Sequence, residues 1–216
     1  MPQIVTKSYF TKANGLNIPL AIEIPTAVPT STPSNSNYLD NLCIEVEKNL
    51  LLNSLGLTLY NQFQTALLDI DNVVNEKWKF LLKGQEYDGK KWIGLEYDLG
   101  FIAQKIYETY LTRTDEHLTM AGNVKANAEN ATVVTPVYKI ASANQSFIKQ
   151  YQKGYLDFPS VYTRNSIKFV DYYDDNNDVE VSFYEYLLDK KADFIDFDLS
   201  KFKTYSVLET KNSFGI

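Results

Sequence analysis

Residues 81–113 read LLKGQEYDGKKWIGLEYDLGFIAQKIYETYLTR, and this stretch decides the fold class. Leu81-Leu82-Lys83-Gly84 has the form of a helix end: apolar residues, a cation in the last turn, then glycine for a left-handed cap. Gln85 to Lys91 reads as a short polar connection with Gly89 at its middle. From Gly94 to Arg113 a long helix is predicted, with Leu95, Leu99, Ile102, Ala103, Ile106 and Tyr110 on one face at i, i+3, i+4 spacing. A helix carrying such a stripe has to bury it against other helices. The stretch offers no nucleophile, phosphate loop or metal cluster, so it is scaffold.

Upstream, the spacing predicts a helix over 38–53, with Asn37 as cap and Leu39, Leu42, Cys43, Val46 and Leu50 as its stripe. Leu55-Gly56 breaks it. A second helix is expected over 57–68 and a third over 74–83, the latter with Trp78, Leu81 and Leu82 inward. Residues 1–37 hold five of the seven prolines and end in the polar run STPSNSN, which reads as an extended arm and linker. Within it Ile18, Leu20, Ile22 and Ile24 lie in an apolar piece suited to adding as a strand to another chain.

Downstream, residues 114–135 lose the helical period and are rich in turn formers. A loop of that length is usually functional or ordered by a partner, which makes Val124, Val133 and Val134 interface candidates. Pro136 opens a fifth helix reaching about Phe158, with Ile140, Ala141, Asn144, Phe147, Ile148 and Tyr151 on one side and Lys139, Gln145, Lys149 and Gln152 opposite. Ile167 and Phe169 alternate with Val179, Val181 and Phe183 about an acidic turn, suggesting a hairpin. Ser182 and Glu185 form a capping box for a short sixth helix. The tail, ending Phe214-Gly215-Ile216, reads as extended and supplies further interface candidates. The expected architecture is mainly α: a bundle of about five to six helices over 38–160, an extended N-terminal arm, and a C-terminal extension (161–216) with a hairpin and tail.

Composition narrows the function classes. Apolar residues at 44% and charged residues at 22% suit a globular core. No run approaches the roughly 18 apolar residues of a membrane span, and MPQIVTKSYF lacks the apolar segment of a signal peptide, so a cytosolic chain with no membrane partner is expected. The net charge of −6 disfavours tight duplex binding but suits a surface past which nucleic acid slides without sticking. Aromatic content is high, with 16 Tyr and 12 Phe, which favours extensive interfaces over a merely Tyr-rich core.

Candidate chemistry is sparse. Asp174, Asn176, Asp178 and Glu185 fall at the spacing of a calcium loop, but Val179 stands where the sharp turn needs glycine, and a solvated acidic turn is the better reading. His117 is the one histidine, without cysteine or histidine partners for zinc, and is read as stabilising a helix end. Cys43, the one cysteine, sits on a helix's apolar face as a small hydrophobe. There is no glycine-rich phosphate loop, and surface carboxylate pairs carry no signal. No catalytic residue and no cofactor is expected.

The order of motifs carries more. Leu55-Gly56-Leu57-Thr58-Leu59-Tyr60, Leu81-Leu82-Lys83-Gly84, Tyr87, Gly94-Leu95, Tyr107 and Tyr110, then Thr119-Met120-Ala121-Gly122, follow one another at family-like spacing. In that order the chain resembles the head–tail connector (adaptor) proteins of tailed bacteriophages, and within them the ring proteins of crAss-like phages. The resemblance covers about 38–160. It implies a homo-oligomeric ring, usually twelve-fold, beneath the portal protein in the virion neck, extending the channel for genomic DNA and docking the tail. A ring of this kind closes through heterologous contacts, so each subunit needs two different faces. Two other expectations stay open: a helical module that takes a peptide along a Tyr-rich groove, and a calcium-regulated protein.

Overall fold

The computed structural model describes residues 2–10, 16–18, 35–72, 75–114, 117–119, 122–124, 137–152 and 179–205. The protein is mainly helical, with five α-helices among these residues. They are α1 (Asn35–Ala66), α2 (Lys77–Lys83), α3 (Phe101–Thr114), α4 (Val137–Tyr151) and α5 (Phe183–Asp189). Two small antiparallel hairpins join them: β1 (Gln85–Tyr87) with β2 (Lys90–Trp92), and β3 (His117–Thr119) with β4 (Gly122–Val124).

The two helices expected over 38–53 and 57–68 are the two parts of α1, and they meet at a kink. Gly56, at φ 75 and ψ 168, leaves helical geometry in the middle of α1. Just before the kink the Ser54 hydroxyl donates to the carbonyls of Leu50 (2.8 Å) and Leu51 (3.2 Å), a back-bond that helps bend a helix. The stripe of Leu39, Leu42, Cys43, Val46 and Leu50 is buried as the periodicity implies.

The stretch 85–100 corrects two expectations. The polar connection is a tight hairpin: Gln85 pairs with Trp92 and Tyr87 with Lys90, and the turn Asp88-Gly89 has positive φ at both residues (47° and 75°). That is the turn that matches the twist of paired strands. Helix α3 starts at Phe101 and not at Gly94, and ahead of it Trp92, Leu95 and Glu96 are bonded back to the end of α2. A finished helix leaves its last carbonyls without partners. Here Leu81 O accepts from Leu95 N (3.2 Å) and from the Trp92 indole N–H (3.0 Å), and Leu82 O accepts from Glu96 N (3.1 Å). Gly94, just before Leu95, has φ 89° and is outside helical geometry.

Helix α3 packs on both α1 and α4, and α4 meets α5. Val181 N donates to Lys91 O at 3.0 Å and Lys91 N to Val179 O at 2.8 Å, so this segment lies along the β2 edge. Helix α5 opens with the expected capping box, the Ser182 side chain accepting from Glu185 N. It ends at Asp189, short of Phe194. A 3-10 turn, Leu199–Lys201, follows, and Lys203 N donates to Asn53 O of α1 at 3.1 Å. The segment after Thr114 contains the β3–β4 hairpin, where the sequence suggested only a loop; its register sets His117 against Val124.

Candidate functional site

The first feature built for binding a chain segment is a cradle on α1. Glu47 lies in register with Cys43, Leu50 and Leu51 on the buried face, and is itself only 4% exposed. A carboxylate there is costly unless donors surround it. They come from the N-terminal segment: Ile4 N lies 3.0 Å and Val5 N 2.9 Å from Glu47 Oε2. Burial pushes the Glu47 carboxyl up to about 7, against the pull of the Val5 and Ile4 amides. A 3-10 turn, Lys7–Phe10, then crosses α1 and α3. Lys7 Nζ stands 3.7 Å from Asp40, and the Tyr9 hydroxyl donates to Glu96 O at 2.9 Å. Ile4, Val5, Phe10, Leu16 and Ile18 are all buried, and Ile18 N donates to Phe10 O at 3.2 Å.

Ile4, Val5, Phe10, Leu16 and Ile18 of the arm thus join the core cluster, and Ile18, named as an interface candidate, is 3% exposed. The signal was present in the sequence: Glu47 stands one turn from Cys43 on the apolar stripe of α1, and a carboxylate there implies a partner rich in donors.

A second, similar device holds the C-terminal part. Gln152 is fully buried, although its position opposite the α4 stripe predicted a solvent-facing side chain. Its side-chain amide donates to Tyr205 O (3.0 Å) and accepts from Tyr205 N (2.8 Å), as a neighbouring strand would. The Tyr151 hydroxyl donates to Lys203 O at 3.0 Å. Around these bonds the aromatics stack: Tyr151 on Phe202 (4.8 Å), Phe101 on Phe183 (5.1 Å), Trp92 on Tyr186 (5.0 Å) and on Phe183 (5.6 Å). Much of the aromatic excess therefore packs inside the chain's own fold. Burial raises the phenols of Tyr151 and Tyr186 well above their ordinary range, so both stay neutral hydrogen-bonding groups.

The surface offers apolar positions in separate places. Leu57 and Leu68 project from and just beyond α1 at 68% and 74% exposure, Tyr138 from α4, and Ile195 from the turn after α5, the last two both 84% exposed. A groove of about 320 Å³ runs beside the first hairpin, with Trp92 and Tyr97 in its wall and Lys83, Lys91, Glu86 and Glu180 about it. A wider concavity of about 800 Å³ lies by Tyr184, Ile195 and Leu199.

Of the calcium-loop residues, Glu185 has its carboxylate on the Ser182 amide (3.0 Å) and hydroxyl (3.1 Å), serving as a helix cap. Asp174, Asn176 and Asp178 lie outside the described residues, as do Leu20, Ile22, Ile24, Val133, Val134, Phe214, Gly215 and Ile216. Val124 is described in backbone only, as the partner of His117, which stands in a strand and not at a helix end. Among the described residues no group of three or more His, Cys, Asp or Glu is placed to hold a metal ion, and no helix is long and apolar enough to cross a membrane. Comparison with protein-family profiles, with curated proteins and with solved structures finds no match to this chain.

Proposed function

We propose that this protein is a structural component of a tailed-phage head–tail connector. In this reading copies of the chain form a closed ring, twelve-fold as in the proteins it resembles, below the portal. The ring extends the channel for genomic DNA, which passes without sequence-specific binding, and it presents a docking surface to the tail. The protein would act in the virion neck, after assembly in the host cytoplasm.

What supports the reading is that its motifs fall where the fold turns. Gly56 kinks α1, Gly84 stops α2, Tyr87 ends β1 and Gly94-Leu95 caps α2 from outside. Tyr107 and Tyr110 lie on α3, and Thr119 pairs with Gly122 across a hairpin. A net charge of −6 suits a channel wall that repels phosphate. The test is the mass of the free protein and of its mixture with the phage portal by light scattering, followed by negative-stain imaging. A ring in either sample supports the proposal; a monomer that ignores the portal overturns it.

A second reading rests on the groove beside Trp92 and Tyr97, which has the size to take part of a peptide. It expects a monomer or dimer that ignores the portal and binds extended peptides.

A further inference from the structure

We infer that the N-terminal arm is exchanged between copies of this chain, its residues 2–10 and 16–18 lying in the Glu47 cradle of the next subunit when copies assemble. The inference rests on the ring reading and names the contact that joins neighbours.

The cradle recognises backbone. Its central bonds run from the amides of Ile4 and Val5 to one buried carboxylate, with the Tyr9 hydroxyl reaching Glu96 O at the other side. None of these groups distinguishes the chain's own arm from an identical arm of a neighbour. Neither arm nor cradle can stand empty at low cost. An undocked arm would expose Ile4, Val5, Phe10, Leu16 and Ile18, and an empty cradle would take from Glu47 the two amide donors that it has here. Every arm therefore needs some cradle, and exchange conserves every contact, which is why swapping an identical element is a low-cost route to assembly.

The connection permits the exchange. From Ile18 to Asn35 the chain reaches up to about 55 Å when extended, several times the ~10 Å width of a helix. It contains Pro19, Pro25, Pro29 and Pro33, each of which fixes φ. Arm and cradle are also two different faces of one subunit. Passing an arm always forward gives the heterologous contact that a closed ring requires, whereas reciprocal exchange stops at a two-fold dimer.

The Lys7–Asp40 ion pair, 3.7 Å apart with both side chains partly exposed, reports which chain supplies the arm. Light and ¹⁵N-labelled full-length protein are unfolded together in equal amounts, refolded, and assembled with and without portal. A carbodiimide then activates the Asp40 carboxyl, and the Lys7 amine displaces the activated oxygen to form an amide. Digestion and mass spectrometry read the isotopes of the two joined peptides. The expected result is that about half of the Lys7–Asp40 pairs in the assembled fraction join a light peptide to a heavy one, while monomers give same-isotope pairs only. Same-isotope pairs throughout an assembled ring would overturn the exchange and leave the ring reading standing. An amide missing from monomer and assembly alike would also overturn it, because the arm would then lie in no cradle. A chain that forms no assembly with or without portal overturns both.

Discussion

Gly94 lies against the amide of Gly84 so closely that a β-carbon on Gly94 would stand 2.6 Å from the Gly84 nitrogen and 2.5 Å from the Leu82 carbonyl oxygen. The reverse also holds, since a β-carbon on Gly84 would stand 2.5 Å from Trp92 O. Both glycines have positive φ, 88° and 89°. The hairpin is thereby folded back onto the end of α2 with no room for a side chain between the two backbones.

Gly84→Ala and Gly94→Ala should each destabilise the fold by on the order of 3 kcal/mol or more, since left-handed strain adds to a backbone clash that no rotamer relieves. Gly89→Ala, at φ 75° with nothing within 4 Å, should cost only about 1 kcal/mol. Urea denaturation midpoints of the three variants check the ordering; equal costs would mean that the crossing is looser than described.

Glu47 gives the stability a pH dependence of known sign. Its folded-state value of about 7 lies above that of an unfolded glutamate, about 4.3, so the folded chain holds the proton longer. The stability from that proton is fully present below the unfolded value and is lost as pH rises through about 7, by up to roughly 4 kcal/mol. Glu47→Gln removes the ionisation and keeps an oxygen for the Ile4 and Val5 amides. Thermal midpoints at pH 5 and pH 8 should therefore diverge, the variant gaining on the native protein at the higher pH. A difference that does not change with pH would mean Glu47 ionises as freely folded as unfolded.

Gln152→Ala leaves the Tyr205 N–H and carbonyl, both part-buried, without their partner, at about 1 kcal/mol for each. The expected outcome is local release of the segment after the Leu199–Lys201 turn. Trypsin should then cleave at Lys201 and Lys203 several-fold faster than in the native chain, while far-ultraviolet circular dichroism stays unchanged.

Cys43 should be nearly inert. It is fully buried, and burial together with the charges of Asp40 and Glu47 pushes its thiol up to about 12. At pH 8 that leaves a thiolate fraction about 10³ below that of an ordinary cysteine. Labelling by a disulfide reagent should be undetectable in minutes when folded and immediate in urea. Rapid labelling of the folded protein would show that α1 opens locally.

The sequence by itself determined the helical class and the buried stripes of α1, α3 and α4, because a period near 3.6 in apolar residues leaves few other solutions. It also determined the cap at Ser182 and the breaks at Gly56 and Gly84, which are local chemistry. The Asp88-Gly89 hairpin was legible too, since that dipeptide is a turn signal, but the surrounding polar residues masked the short strands. Only the tertiary structure decided that the carbonyls of Leu81 and Leu82 take donors from Leu95 and Glu96, ahead of the start of α3 at Phe101. It alone decided that Ile18 turns inward and that Gln152 is buried. Each of those fates depends on a partner from another part of the chain: Phe10 for Ile18, Tyr205 for Gln152 and the Ile4 and Val5 amides for Glu47. A one-dimensional pattern records which side chains are apolar, but a buried polar group is settled by donors and acceptors that only folding brings within 3 Å.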